Sequence, residues 1–182
     1  KCTHPDFPTV NAVQAMPADF VVDSVRLKRN SSTGQYGDQL DQVEVMLRDQ
    51  PGVKNFYEVI ISRPYYDVVY NETTGMLDTI AVHQSPIYAE DYLDPNVYFG
   101  VKAGGLISDQ FFDGQSYKFQ ARIYSSGSTD PVTVQVRNVT EDYYKWSRSY
   151  QLKNDDDGNP LVEPVAVFNN LTGGIGIFSL CK

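Results

Sequence analysis

Three segments of this chain alternate apolar and polar residues with a period of two, and that period restricts the fold more than any other feature. In the first, Val43, Val45 and Leu47 alternate with Glu44, Met46 and Arg48. In the second, Tyr117, Phe119, Ala121 and Ile123 alternate with Lys118, Gln120 and Arg122. In the third, Val132, Val134 and Val136 alternate with Thr133, Gln135 and Arg137. Successive side chains of a strand point to opposite faces, so each segment predicts a strand with one buried and one solvated face. Phe56–Arg63 contains Val59-Ile60-Ile61 without alternation, the pattern of a strand covered on both faces. Phe20–Lys28 adds a half-buried strand through Val25 and Leu27, and Val10–Met16 alternates weakly up to Pro17. Proline cannot donate into a sheet ladder, so Pro17-Ala18 reads as a crossing between two strand systems.

The connections between these strands set the expected topology. Asp49-Gln50-Pro51-Gly52 supplies a turn that joins the first segment to Phe56–Arg63 as a hairpin. The loop Ser125–Pro131 joins the second and third segments as another hairpin. Asn30–Asp38 is a polar loop. Between Pro64 and Gln110 the sequence predicts short strands near Val68–Tyr70 and Thr79–Val82, then a long irregular excursion. A single helix is predicted from Thr140, its N-cap, to about Lys153, with Glu141 and Asp142 in the first turn. Tyr143, Trp146 and Tyr150 form an aromatic stripe on one face of it. Val165–Phe168 reads as a short strand, Asn169-Asn170 as a turn, and a final strand reaches Leu180. The fold class is therefore all-β: a β-sandwich, immunoglobulin-like or similar, with one late α-helix packed on it.

Composition excludes some functions. The formal net charge is -8, which argues against nucleic-acid binding and against docking on an anionic membrane. No apolar run approaches the roughly 20 residues of a membrane helix. The chain starts at Lys1 without Met, as expected of a processed or excised form. Cys2 is a poor lipid carrier on its own sequence, because the preceding residue is normally small and Lys1 is not. Cys2 and Cys181 are the only cysteines. Two readings stand for them: one disulfide closing nearly the whole chain, worth on the order of 5 kcal/mol in the entropy model, or two unrelated thiols.

Catalytic sets are hard to assemble from these residues. The two histidines, His4 and His83, accompany no nucleophile elbow. Cysteines and histidines lack zinc spacing, and no pair of acids stands out for glycoside hydrolysis. Asn154-Asp155-Asp156-Asp157-Gly158-Asn159 gathers hard oxygen ligands but lacks the full calcium-loop pattern, and reads as a solvated acidic loop. Sequons begin at Asn30, Asn71, Asn138 and Asn170; the last two fall in elements expected to be packed. The expectation is therefore no enzyme activity, no cofactor and no metal. Candidate binding residues are Tyr65, Tyr66, Tyr70, Tyr88 and Tyr92, whose rings suit sugar stacking, a core or a protein interface.

Glu163–Phe178 is the least generic stretch. Gly173, Gly174 and Gly176 lie within six residues without a phosphate-loop lysine, so they read as structural: positions near the aromatic helix where a β-carbon would not fit.

Several motifs recur together: Asp49-Gln50-Pro51-Gly52, Asn55-Phe56-Tyr57, Asp109-Gln110-Phe111-Phe112-Asp113-Gly114, Asp142-Tyr143-Tyr144, Gly158-Asn159-Pro160, Glu163-Pro164-Val165, and Asn170 before Gly173-Gly174-Ile175-Gly176-Ile177-Phe178. In this order they resemble domain-of-unknown-function family 4249 of Bacteroidetes-type envelope lipoproteins. The resemblance implies Glu163, Pro164, Asn170, Gly173, Gly174, Gly176 and Phe178 as structural motif residues, with no catalytic residues to carry over. It implies an outer-membrane lipoprotein facing the cell surface or periplasm, accessory to a TonB-dependent, SusCD-like nutrient transporter. Residues 1–17 would then be a strand or linker left from an upstream module, and 18–182 one β-sandwich domain. The other expectation is a glycan-binding module or adhesin domain with a glycan or peptide ligand. Ser179-Leu180-Cys181-Lys182 departs from the family's Gly-rich ending.

Overall fold

In the computed structural model, which describes residues 2–4, 6–127, 129–156 and 165–182, the strands form two main antiparallel sheets. The first has the order β3-β4-β10-β7, from Val21–Thr33, Gln39–Arg48, Ser116–Tyr124 and Asp91–Tyr92. The second has the order β11-β5-β9-β8, from Thr133–Val139, Phe56–Asn71, Gly105–Ser108 and Tyr98–Phe99, with β6 (Met76–Pro86) also paired to β5. A separate hairpin joins β1 (Cys2–His4) to β2 (Phe7–Val10). The helix α1 spans Glu141–Asp156. The architecture is a β-sandwich with one late helix.

The alternating residues meet across the sandwich as their period requires. Val43, Val45 and Leu47 of β4 lie level with Ala121, Phe119 and Tyr117 of β10. On the opposing sheet, Tyr57, Val59 and Ile61 of β5 are buried with them in one cluster. The other face of β5 is also buried, including Phe56, Glu58 and Ile60. There α1 covers it: the Phe56 and Tyr144 rings lie 4.8 Å apart, and the Tyr143 hydroxyl donates to Glu58 at 2.9 Å. Thr140 caps the helix, its Oγ1 accepting from Tyr143 N at 3.4 Å. The aromatic stripe is continuous, with centroids 5.7 Å apart for Tyr143–Trp146 and 5.6 Å for Trp146–Tyr150.

Strand pairing differs from the expected hairpins. β4 and β5 lie in different sheets, as do β10 and β11. Each connection therefore crosses the sandwich. Alternation tells which residues face inward but not which strand lies alongside, so it fits a crossing as well as a hairpin. Buried polar bonds explain why the first connection crosses. The Asp49 carboxylate, beyond the end of β4, accepts from the Tyr57 hydroxyl, from Asn55 Nδ2 at 3.1 Å and from Gly114 N at 2.8 Å. Those donors come from the opposite sheet and from the turn before β10. Asn138 of β11 extends the network: its Nδ2 donates to Asn55 Oδ1 at 2.8 Å and to Ala18 O at 3.0 Å.

Other expectations need correcting. Residues 12–20 form no strand; they link the β1–β2 hairpin to β3. β3 takes in 30–33 of the expected loop Asn30–Asp38, leaving a turn at 34–38 before β4. Residues 165–182 form no regular strand either. The tail is held by isolated bridges instead, Thr172 to Asn11 and Cys181 to Val139. Cys2 and Cys181 are both free and exposed, so no disulfide closes the chain. Cys2 pairs with Val10 in the N-terminal hairpin while Cys181 pairs with Val139 at the end of β11, so different neighbours hold the two ends.

Asp49→Ala would strand three donors at once, one of them the phenol of fully buried Tyr57. The expected loss is at least about 3 kcal/mol, measured by urea unfolding; a loss below about 1 kcal/mol would contradict the network's role.

Candidate functional site

β5 and β6 continue well past the sandwich as a two-stranded arm. β11 accompanies β5 only as far as Ser62, and β9 only from Phe56 to Val59. Beyond Ser62, β5 pairs with β6 alone, from Arg63↔Ser85 to Asn71↔Met76. Pro64 sits where β11 has ended and an N–H is no longer needed. The tip is an Asx turn, with Asn71 Oδ1 accepting from Thr73 N at 2.9 Å and Thr74 N at 3.2 Å. At the base, Arg63 pairs with buried Asp41 at 3.3 Å, and the Tyr66 hydroxyl donates to Asp130 at 3.2 Å.

The register divides the arm into two unlike faces. Tyr66↔Val82, Val68↔Thr79 and Tyr70↔Leu77 share one face, apart from one register slip beside Val68. Tyr65↔His83, Asp67↔Ala81 and Val69↔Asp78 share the other. The second face carries polar pairs: His83 Nε2 to Asp67 at 2.9 Å and Asn71 Nδ2 to Asp78 at 2.6 Å. The first is apolar and solvent-facing, with Tyr70 61% and Leu77 65% exposed. Between Pro64 and Pro86 the charged residues are Asp67, Glu72 and Asp78, with no Lys or Arg. Contiguous exposed apolar surface of this kind marks interaction sites.

The candidate tyrosines separate accordingly. Tyr65, Tyr66 and Tyr70 stand on the arm, and Tyr88 is exposed just beyond β6. Tyr92 does not join them. It packs against Phe99 at 4.7 Å and Phe119 at 5.6 Å, and burial pushes its phenol up. Sequence reasoning missed Val68, Leu77 and Val82 as surface residues. The signal was two β-branched and aromatic runs flanking Asn71-Glu72-Thr73-Thr74-Gly75, a hairpin pattern read as fragments.

The family-motif residues build structure. Asn170 Oδ1 accepts from Phe178 N at 2.9 Å, and its Nδ2 donates to Phe178 O and to Asp142, both at 2.8 Å. Gly173 has φ +83, and a Cβ there would lie 2.4 Å from Thr9 O. Gly176 has φ +144, and Gly174 lies against Val10. Gly173 and Gly174 thus face β2, and Gly176 faces Leu171 of its own loop, rather than α1. Glu163 and Pro164 lie outside the described residues, as do Asp157–Asn159 of the acidic loop.

Asp49, Asp109 and Asp113 bring carboxylate oxygens within 4.8 Å of one another. Backbone donors already engage each: Gly114 N on Asp49, Asn55 N on Asp109 at 2.5 Å, and Gly52 N on Asp113 at 2.8 Å. The trio ties the turns together. No helix among the described residues is long and apolar enough to cross a membrane.

An all-β sandwich with a displayed apolar arm is the class these features define. The chain belongs to the family described as domain of unknown function (DUF4249), which matches residues 1–182. No curated protein and no solved structure matches it.

Burial raises the Asp109 carboxyl above its usual range; the Asn55 N–H opposes this, and Asp49 and Asp113 add to it. A folded pKa above the unfolded one contributes stability below the unfolded pKa, which is lost as pH rises through the folded pKa. Asp109→Asn keeps an acceptor for Asn55 N and removes that loss. It is expected to be more stable than the parent at about pH 7 and no more stable at about pH 3, by urea melts. An equal gain at both would contradict the assignment.

Proposed function

We propose that this chain is a non-enzymatic accessory lipoprotein of the outer membrane or cell surface, docked through its arm on a TonB-dependent, SusCD-like nutrient transporter. The observation that carries the docking part is the apolar face Tyr66–Val68–Tyr70 with Leu77 and Val82, open to solvent on a ribbon with two unpaired edges. The arm's charged residues are all acidic, Asp67 and Asp78 on the opposite face and Glu72 at the tip, so a partner surface that is apolar where it meets this face and not acidic around it is favoured. Family membership supports the envelope setting, through the association of such lipoproteins with transporters. A second reading, a glycan-binding or adhesin module, draws on exposed Tyr65, Tyr66, Tyr70 and Tyr88. Three of those rings sit on a projecting ribbon and Tyr88 lies just beyond it, whereas small-ligand sites are concave, so a protein partner is favoured.

The test is the double variant Tyr70→Thr, Leu77→Thr. Both side chains are exposed, so stability is expected to change by less than about 0.5 kcal/mol. Co-purification of a transporter from detergent-solubilised envelopes is expected with the parent and lost with the variant. Parent chain recovered alone, or full recovery with the variant, would contradict docking through the arm. Glycan-array binding lost on Tyr65→Ala would favour the second reading.

A further inference from the structure

Helix α1 covers the outer face of the second sheet, the C-terminal tail pairs along the free edge of β11, and a cavity of about 340 Å³ lies between them. Its walls include Trp146 and Tyr143 on the helix side, and Val139, Leu180 and Cys181 on the strand and tail side. Backbone bonds hold the tail in place: Thr140 N to Leu180 O at 3.2 Å, and a reciprocal pair between Asn138 and Lys182 at 3.0 and 2.9 Å. The volume falls at the small end of the range for small-molecule sites.

One charged group lines this cavity, and its charge is already spent. Arg137 is ion-paired with Glu58, a carboxylate with no solvent exposure that also accepts from the Tyr143 hydroxyl. Arg137 Nε is buried and has no hydrogen-bond acceptor among the described residues. A buried donor without an acceptor is costly, so a small shift of the guanidinium that hands Nε an oxygen from the cavity is favoured. That oxygen must be uncharged, because a second carboxylate would sit beside Glu58. The aromatic and aliphatic walls suit a flat ring, which gains by stacking and by leaving water.

We propose that this cavity binds a small neutral aromatic molecule carrying a carbonyl or amide oxygen, its ring against Trp146 and its oxygen toward Arg137. The site is separate from the arm and does not depend on the docking reading.

Trp146 is the only tryptophan in the chain, so its emission reports on the cavity directly. The probe is N-methylbenzamide, with benzoate as the charged comparison, in the full chain carrying Cys2→Ser. N-methylbenzamide is expected to change Trp146 emission saturably, to bind at least about tenfold tighter than benzoate, and to slow alkylation of the exposed Cys181 thiol. Prior alkylation of Cys181 is expected to weaken binding about tenfold or more. No saturable change up to about 10 mM probe, together with unprotected Cys181, would overturn the proposal. Benzoate binding as tightly as the amide would overturn the neutral-oxygen assignment.

Discussion

Everything in this structure hangs on how the Asp49 carboxylate is satisfied. It lies 4% exposed beyond the end of β4. Its acceptor sites are filled from β5, from Asn55 before β5, and from the turn that starts β10. A buried carboxylate is tolerable only when it is hydrogen-bonded this fully. Satisfying it draws together the ends of strands from both sheets. Asn55 then passes the constraint to Asn138, whose side chain reaches the N-terminal linker at Ala18 and whose backbone pairs with Lys182. One chain of polar contacts thus joins both sheets, the linker and the C-terminal tail.

Locking that end leaves the opposite end of β5 free. The same strand is buried on both faces between Phe56 and Ile61 and largely exposed beyond Arg63. Two-stranded hairpins are marginal by themselves in water. This one is held by continuity with a core strand and by the Arg63–Asp41 pair at its base. A ribbon fixed at its root reaches a partner with little ordering left to do, and preorganisation of that kind lowers the cost of association. The proposed docking role follows from this division between a closed base and an open arm.

Much of the sandwich was legible because burial and alternation are local signals. Val43, Val45, Leu47, Phe119, Ala121 and Ile123 all face inward as their spacing requires, and Thr140 caps the one helix. Strand partners were not legible, because a turn such as Asp49–Gly52 serves a hairpin or a crossing equally well. The choice rests on bonds from Asp49 to residues far along the chain, Gly114 among them. The arm was read as fragments because its exposed apolar residues violate the usual rule that such residues are buried. Tyr92 was grouped with the candidate binding tyrosines, with a core role left open, for want of any local cue to Phe99 and Phe119. Gly173 and Gly174 were identified as structural, but their neighbours Thr9 and Val10 in β2 are more than 160 positions away, a relation no spacing encodes. Cys2 and Cys181 sit at opposite ends, and only the fold shows that each pairs with a different neighbour.

Native-state hydrogen exchange of the intact chain tests the division between locked base and free arm most directly. The amides of Asn55 and Asn138 donate within or beside the buried network, so they should exchange only through global unfolding. The amides of 65–85 should exchange by local opening, with much smaller dependence on denaturant. Arm amides that exchange as slowly as those of the network, or network amides that open first, would contradict the account.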